Sequence, residues 1–297
     1  MKGSEITLVF FTLFAQAAVG MLAAFGIINY FTAAREGIEN GRVINEKLLL
    51  VVCALFIGAV IISFLHLGNF KNAFYAMNNL AGSWLSREIL FVIIFGLLLT
   101  GFTFIYLKNL FSLTGQAIMA AGAVLAGLSL VFVMARIYMI EIIPAWNNAA
   151  TPILFYLSTF ILGGLTFAAA FVFLANREGV SFSSVYGMHV IIRIVIGSAV
   201  LLLTAELAVW LIKTFTLSGG ERAAAESYAL IVKDNMIIFW LRIALQGAAI
   251  ILLAVIYNSF SRGAMNVPQF YIAFILVWLA EIAGRYLFYA AFNRIGI

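Results

Sequence analysis

Eight long apolar stretches constrain the fold of this chain more than any other feature. Each approaches the ~20 residues that a helix needs to cross the hydrocarbon core of a bilayer, and none shows the ~10-residue alternation of a barrel strand. Hydrophobic residues make up 65% of the chain and charged residues only 10%, whereas about 25% are charged in a soluble domain. The pattern predicts an all-α, polytopic integral membrane protein with eight transmembrane helices. The predicted segments are 6–30, 48–67, 88–107, 117–139, 152–175, 189–212, 237–257 and 269–290.

The stretches between these segments are too short to form a soluble domain. The longest predicted loops cover residues 31–47, 68–87 and 213–236, and none could bury a core of its own. The sequence contains no dinucleotide-binding, phosphate-loop, paired-cysteine or zinc-protease motif. The chain is therefore predicted to be a single transmembrane bundle over residues 1–297, and any cofactor-bearing domain is expected on a partner chain.

The distribution of charge does not decide how the chain is oriented in the membrane. The net charge of +5 is spread over short loops, which suits lipid headgroups and provides no nucleic-acid surface. Lys and Arg are divided almost evenly between the two sets of loops, so their distribution does not decide the orientation. An even number of helices does place both ends of the chain on one side, which we call the terminal face.

Polar residues inside the predicted helices lie mostly in the half of the membrane next to the terminal face. Charged groups in membrane segments are costly and usually face a cavity or one another, so this distribution predicts a polar pocket. An alternative for Arg87 and Arg242 is that their side chains extend to the interface, whereas Glu206, Glu281 and Arg136 lie deeper. The residues in this half are Glu5, Gln16, His66, Arg87, Glu88, Arg136, Tyr138, Glu141, Glu206, Arg242, Gln246, Glu281 and Arg285.

The two histidines lie near opposite membrane faces. His66 ends the second predicted helix at the terminal face, where its imidazole could take a proton near neutral pH. His189 and Arg193 begin the sixth predicted helix at the other face. A bis-histidine haem needs paired axial ligands, so these two histidines cannot hold one haem. The sequence predicts neither haem nor a metal ion in this chain.

Local signals predict several helix ends and contacts. Ser86 is a candidate N-cap for the third helix and Thr151 for the fifth. Trp146 is expected to anchor the chain at the membrane interface. Gly20 in the first helix and Gly163 in the fifth are expected to permit close helix packing.

The two halves of the chain, residues 1–147 and 148–297, resemble each other weakly. The first and fifth helices share runs of Phe, Leu, Gly and Ala, and His66 corresponds roughly to Glu206. A parallel repeat of four plus four helices would explain why both halves place polar groups near one face.

Short motifs recur in a definite order along these helices. They are Phe64-Leu65-His66-Leu67-Gly68, Leu85-Ser86-Arg87-Glu88-Ile89, Arg136-Ile137-Tyr138, Pro144-Ala145-Trp146, Ala205-Glu206-Leu207-Ala208 and Glu281-Ile282-Ala283-Gly284-Arg285. In this order and spacing the chain resembles the membrane anchor subunit of bacterial dimethyl sulfoxide reductase and related respiratory molybdoenzymes. The resemblance extends over nearly the whole length.

The resemblance implies a subunit that anchors an iron–sulfur protein and a molybdopterin catalytic subunit. It implies oxidation of menaquinol in a bacterial or archaeal cytoplasmic membrane, with electrons passed to the first cluster. His66 and Glu88 match the family positions implicated in quinol binding. The family orientation places both chain ends outside the cytoplasm.

The chemistry of quinol oxidation agrees with the polar residues. A neutral histidine near the quinol headgroup can accept a hydroxyl proton, and a carboxylate can carry it onward. The catalytic candidates are therefore His66 and Glu88. The electron acceptor is expected on a partner docked at the terminal face, against loops 68–87, 140–151 and 213–236. The predicted quinol-binding residues are Gln16, His66, Arg136, Tyr138, Glu206, Glu281 and Arg285.

Two other classes of protein remain open at this point. A secondary transporter would also contain intramembrane charges and repeats, although Pro144, Pro152 and Pro268 all lie in loops or helix starts and interrupt no predicted helix. A purely structural anchor would have no need of His66. The terminal electron acceptor would be reduced on the catalytic subunit, so this chain does not name it.

Overall fold

The computed structural model describes residues 3–36, 42–67, 79–179, 188–260 and 266–295. These residues form nine α-helices, one short π-helical turn and no strand, and eight of the helices are long and apolar enough to cross a membrane. The predicted all-α membrane fold is confirmed. The elements are α1 (Gly3–Glu36), α2 (Arg42–Leu67), α3 (Trp84–Leu107), α4 (Leu113–Tyr138), α5 (Ala150–Arg177), α6 (Met188–Ser218), α7 (Arg222–Ala229), the π-helical turn (Leu230–Asp234), α8 (Met236–Phe260) and α9 (Val267–Ala290).

Helices α1 and α5 form the centre of the bundle and are its most buried spans. They cross at glycines, as predicted: a Cβ added at Gly20 would lie 1.9 Å from the Thr159 carbonyl oxygen, and one at Gly163 would lie 2.1 Å from the Gly20 carbonyl carbon. Helices α2 and α4 pack against α1, and α6 and α9 pack against α5. The four-plus-four repeat stays a prediction.

Two predicted helix starts are wrong by a few residues. Helix α3 begins at Trp84, and the N-cap is Ser83, whose hydroxyl accepts from the Ser86 backbone N–H at 3.3 Å. Helix α5 begins at Ala150, so Thr151 lies inside it and donates its hydroxyl to the Trp146 carbonyl at 2.8 Å. The apolar pattern marks where a helix enters the membrane, whereas the hydrogen bonds begin earlier.

The predicted loop 213–236 is mostly helical. Helix α6 continues to Ser218, and the rest of the segment contains α7 and the π-helical turn. In α7, Ala223, Ala224 and Ser227 are buried, so the short helix packs by its small side chains. Hydropathy missed these elements because α7 is short and polar on its outer side.

The C-terminal tail joins the loops of the terminal face. The Ile295 N–H donates to the Ile142 carbonyl at 2.9 Å. The Asn293 amide donates to Glu226 at 2.7 Å, and Arg222 pairs with the same carboxylate at 2.8 Å. These bonds hold the pKa of Glu226 below its ordinary value, so α7 is attached to the tail by an ionised carboxylate at neutral pH.

Candidate functional site

A cavity lined by charged side chains lies among α5, α6, α8 and α9, in the half of the bundle next to the terminal face. Its volume is about 40 Å³, room for about three water molecules. Ala145 of the α4–α5 loop and Ile231 of the π-helical turn also line it. Its five charged residues expose at most 8% of their surface. They are Glu206, Lys213, Arg242, Glu281 and Arg285.

The two carboxylates share the hydroxyl of Ser158. The Ser158 Oγ lies 2.8 Å from Glu281 Oε2 and 3.4 Å from Glu206 Oε1, and its single proton can serve only one of them at a time. The other oxygen of Glu206 accepts from Gln246 Nε2 at 3.0 Å. Glu281 Oε1 accepts from no donor group within the described part of the chain, and its carboxyl group neighbours that of Glu206.

Arg242 is a buried ion-pair partner. Its Nη2 lies 3.5 Å from Glu206 Oε1, and its guanidinium lies 4.0 Å from the centre of the Trp210 ring. The alternative of a side chain extended to the interface is wrong for this residue, because Glu206 and Trp210 provide a charge and an aromatic face inside the bundle. Arg242 Nε has no partner among the described residues.

Arg285 connects the cavity to the central helix. Its Nη2 donates to Gln16 Oε1 at 2.8 Å, and its guanidinium lies 3.8 Å from the centre of the Phe155 ring. Gln16 is fully buried and donates its own amide to the Phe155 carbonyl at 3.1 Å. The structure thus brings together four predicted residues, Gln16, Glu206, Glu281 and Arg285, through direct contacts and the shared cavity.

Lys213 is the charged residue that sequence reasoning missed. It was assigned to a loop, but it lies in α6, with its Nζ 3.3 Å from Thr151 Oγ1 and 5.1 Å from the centre of the Phe288 ring. Helical spacing gave a signal, because Glu206, Trp210 and Lys213 follow one another at i, i+4 and i+7 and so share a face.

Tyr138 lies in a second group, at the terminal-face ends of α4 and α9. Its hydroxyl and that of Tyr289 are 2.9 Å apart. The Tyr138 ring contacts Trp146 and Phe288, with centroids 5.5 Å and 5.3 Å away. Trp146 is not an interfacial anchor as predicted: it is buried, its ring stacks on Phe288, and its indole N–H donates to the Phe288 carbonyl at 2.7 Å.

Glu88 lies on the same face of the bundle as this tyrosine pair. It is partly buried in the first turns of α3 and is within electrostatic range of Tyr138 and Tyr289. Arg136 lies apart from the cavity, with its guanidinium 5.0 Å from the centre of the Trp84 ring. Arg136 therefore belongs to the terminal-face surface near Glu88.

His66 can be located only by its backbone, which lies in the last turn of α2 at the terminal face. Its side chain is outside the described residues, as is the part of the predicted 68–87 loop before Asn79. In the described ranges, no three His, Cys, Asp or Glu side chains form a group able to hold a metal ion. The expectation of a chain without haem or metal stays a prediction.

Comparisons with known proteins give one consistent result. A sequence model of the family described as "DMSO reductase anchor subunit (DmsC)" matches residues 1–291. The C subunit of anaerobic dimethyl sulfoxide reductase from Haemophilus influenzae is 35% identical over 180 residues, which span 59% of this chain and 60% of that protein. In Escherichia coli, the corresponding C subunit is 26% identical and the related YnfH subunit is 28% identical, each over 99% of this chain and 96% of the relative. This chain belongs to the DMSO reductase anchor subunit family.

Proposed function

We propose that this chain oxidises menaquinol as the membrane subunit of a respiratory molybdoenzyme complex, and that it passes the electrons to an iron–sulfur subunit. The molybdopterin subunit of the complex would reduce the terminal acceptor. Family membership supports an anchor of this kind. The observation that supports quinol oxidation is the Tyr138–Tyr289 hydroxyl pair, which lies within electrostatic range of Glu88 and on the face where α2 ends one residue after His66.

The proposed headgroup site lies between the end of α2, the start of α3 and the ends of α4 and α9. His66 and Glu88 are its proton acceptors, and Tyr138 is a hydrogen-bonding group for the quinol oxygen. Gln16 and Arg285 would form the inner edge of the site, since Phe155 and Phe288 contact both Arg285 and Tyr138. The assignments of Arg136, Glu206 and Glu281 to quinol binding rest on their place in the same half of the membrane.

The reaction breaks both O–H bonds of the quinol. The two protons pass to His66 and Glu88, and the two electrons leave one at a time for the iron–sulfur cluster of the partner. The product is the quinone. This chain has no cofactor-binding motif in its sequence, so it is proposed to work without haem or metal and to supply only the binding site and the proton acceptors.

The iron–sulfur subunit is proposed to dock on the terminal face, because electrons must leave close to His66 and Glu88. The α4–α5 loop, α7 and the C-terminal tail are joined there by hydrogen bonds, which gives a partner a continuous surface. The proposed location is the bacterial or archaeal cytoplasmic membrane, with the terminal face outside the cytoplasm.

His66→Ala in the assembled complex tests the proposal. We expect loss of quinol-dependent turnover, while artificial electron donors still drive the catalytic subunit. The matched control is His189→Ala, because His189 is exposed at the opposite face. Wild-type quinol turnover in an assembled His66→Ala complex would refute the assignment.

A further inference from the structure

The cavity holds more positive charge than its ion pairs account for. Its lining contains three cations and two carboxylates, and among the described residues the only ion pair within it joins Arg242 to Glu206. The other two cations, Lys213 and Arg285, contact neutral partners. The carboxylate that could pair with them, Glu281, accepts from Ser158 instead.

The three cations contact aromatic rings, and these contacts leave most of the cations' N–H groups without a hydrogen-bond acceptor. Arg242, Arg285 and Lys213 each lie over a ring face, at 4.0 Å, 3.8 Å and 5.1 Å from its centre. A ring face stabilises a cation but accepts few of its hydrogen bonds. Lys213 has three donors, and Thr151 is its one hydrogen-bond partner in the described ranges. Donors therefore remain free at the cavity.

The three cations lie at one depth. Lys213 and Arg285 are each five residues from the terminal-face ends of their helices, at Ser218 and Ala290, and Arg242 is six residues from the start of α8. At 1.5 Å per residue this is about 8–9 Å below the helix ends. The cations thus form a ring at one depth below the helix ends, above the deeper carboxylates.

Unpaired groups inside the ring point to a ligand with both acceptors and a donor. Arg242 Nε and Glu281 Oε1 are buried without partners among the described residues, and both side chains are only 4% exposed. Buried polar groups of this kind are normally hydrogen-bonded. An oxyanion supplies acceptors for the cations, and a hydroxyl on it would supply the donor that Glu281 lacks.

We propose that Lys213, Arg242 and Arg285 form a buried binding site for a phosphate group that carries a hydroxyl. Two sources share this chemistry, namely inorganic hydrogen phosphate and the glycerol phosphate headgroup of an anionic phospholipid. Basic pockets between membrane helices are suited to such headgroups. The site shares Arg285 with the inner edge of the proposed quinol site, but phosphorus retention can be measured without quinol oxidation, so failure of one proposal does not imply failure of the other.

Phosphorus content of the purified complex tests the site. After exhaustive washing in phosphate-free buffer, we expect the wild-type complex to retain one more phosphorus per chain than Lys213→Gln. Extraction into organic solvent would assign it to phospholipid, and release into water on denaturation would assign it to inorganic phosphate. Arg193→Gln is the matched control, because Arg193 is also in α6 and lies 4.8 Å from the centre of the Tyr257 ring, outside the cavity. Lys213→Arg should restore the retained phosphorus.

A measurement on the unmodified complex covers the case in which Lys213→Gln fails to assemble. Thermal unfolding is followed in phosphatidylcholine micelles, with inorganic phosphate or phosphatidylglycerol added in separate titrations. We expect one of them to raise the unfolding temperature saturably, and Lys213→Arg to keep the effect. Where Lys213→Gln assembles, loss of one charged hydrogen bond should weaken binding by roughly tenfold or more. Equal phosphorus in wild type and Lys213→Gln, together with no saturable effect of either compound, would overturn the proposal.

Discussion

Removing the carboxylate of Glu206 should destabilise the bundle strongly, because it would leave Arg242 without its ion-pair partner. Both side chains are almost fully buried, and their charged atoms are 3.5 Å apart. Removing one partner of a buried pair typically costs about 3–5 kcal/mol, since the remaining charge stays desolvated. Glu206 also accepts from Gln246, so its loss leaves the Gln246 amide with only its bond to the Leu203 carbonyl. We expect Glu206→Leu to lower the free energy of unfolding by about 3–5 kcal/mol.

The assay is a denaturant titration of the purified protein in mixed micelles, followed by far-ultraviolet circular dichroism. Replacing both partners, as Glu206→Leu with Arg242→Met, should recover most of the lost stability, because no charge is then left buried. Arg222→Leu is the control: its side chain is 89% exposed and its ion pair with Glu226 lies at the surface, so no measurable change is expected.

Two results would refute this reasoning. One is a loss of stability in Glu206→Leu no larger than in Arg222→Leu. The other is a double variant that is less stable than either single variant, since Arg242 would then be stabilised by something other than Glu206.

Two further predictions concern helix packing and docking. Gly163→Ala should lower the free energy of unfolding by about 1–3 kcal/mol or more, because the new Cβ would lie 2.1 Å from the backbone of α1. Gly101→Ala is the control and should be neutral in the same titration, because no atom lies within 4 Å of its added Cβ. Equal effects of the two variants would contradict the α1–α5 crossing. A photo-cross-linker attached to the new cysteine of Glu221→Cys, at the terminal face, should reach the iron–sulfur subunit. One attached to the new cysteine of Lys108→Cys should not, because Lys108 is exposed at the other face. The reverse pattern would contradict the proposed docking surface.

Hydropathy was sufficient to predict the fold but not to predict where its helices end. The eight spans follow from apolar length alone, because a bilayer requires continuous helices of that length. The contact of Gly20 with Gly163 was also predictable, since small residues mark close helix crossings in membranes. Helix α7 and the last turn of α6 were not, because their residues are not apolar enough to register in a membrane-length window.

The candidate site was predicted in part. Sequence position placed Glu206, Glu281 and Arg285 at similar depths, and the structure joins them around one cavity. Position along a helix does not give the direction of a side chain, which is why Arg136 was grouped with them although it contacts Trp84. Lys213 was expected in a loop because the apolar stretch of the sixth predicted helix ends at Ile212. Here Thr151 and Phe288 hold it inside.

The most direct test of the central claim is quinol-driven reduction of the partner's iron–sulfur clusters in the assembled complex, followed by electron paramagnetic resonance. Glu88→Gln keeps the size of the side chain and removes its carboxyl group as a proton carrier. We expect reduction by menaquinol to slow by roughly a hundredfold or more, the usual contribution of a positioned acid–base group. Chemical reductants should still reduce the clusters at the wild-type rate. Menaquinol reduction at the wild-type rate in an assembled Glu88→Gln complex would contradict the claim that quinol is oxidised beside Glu88 and Tyr138.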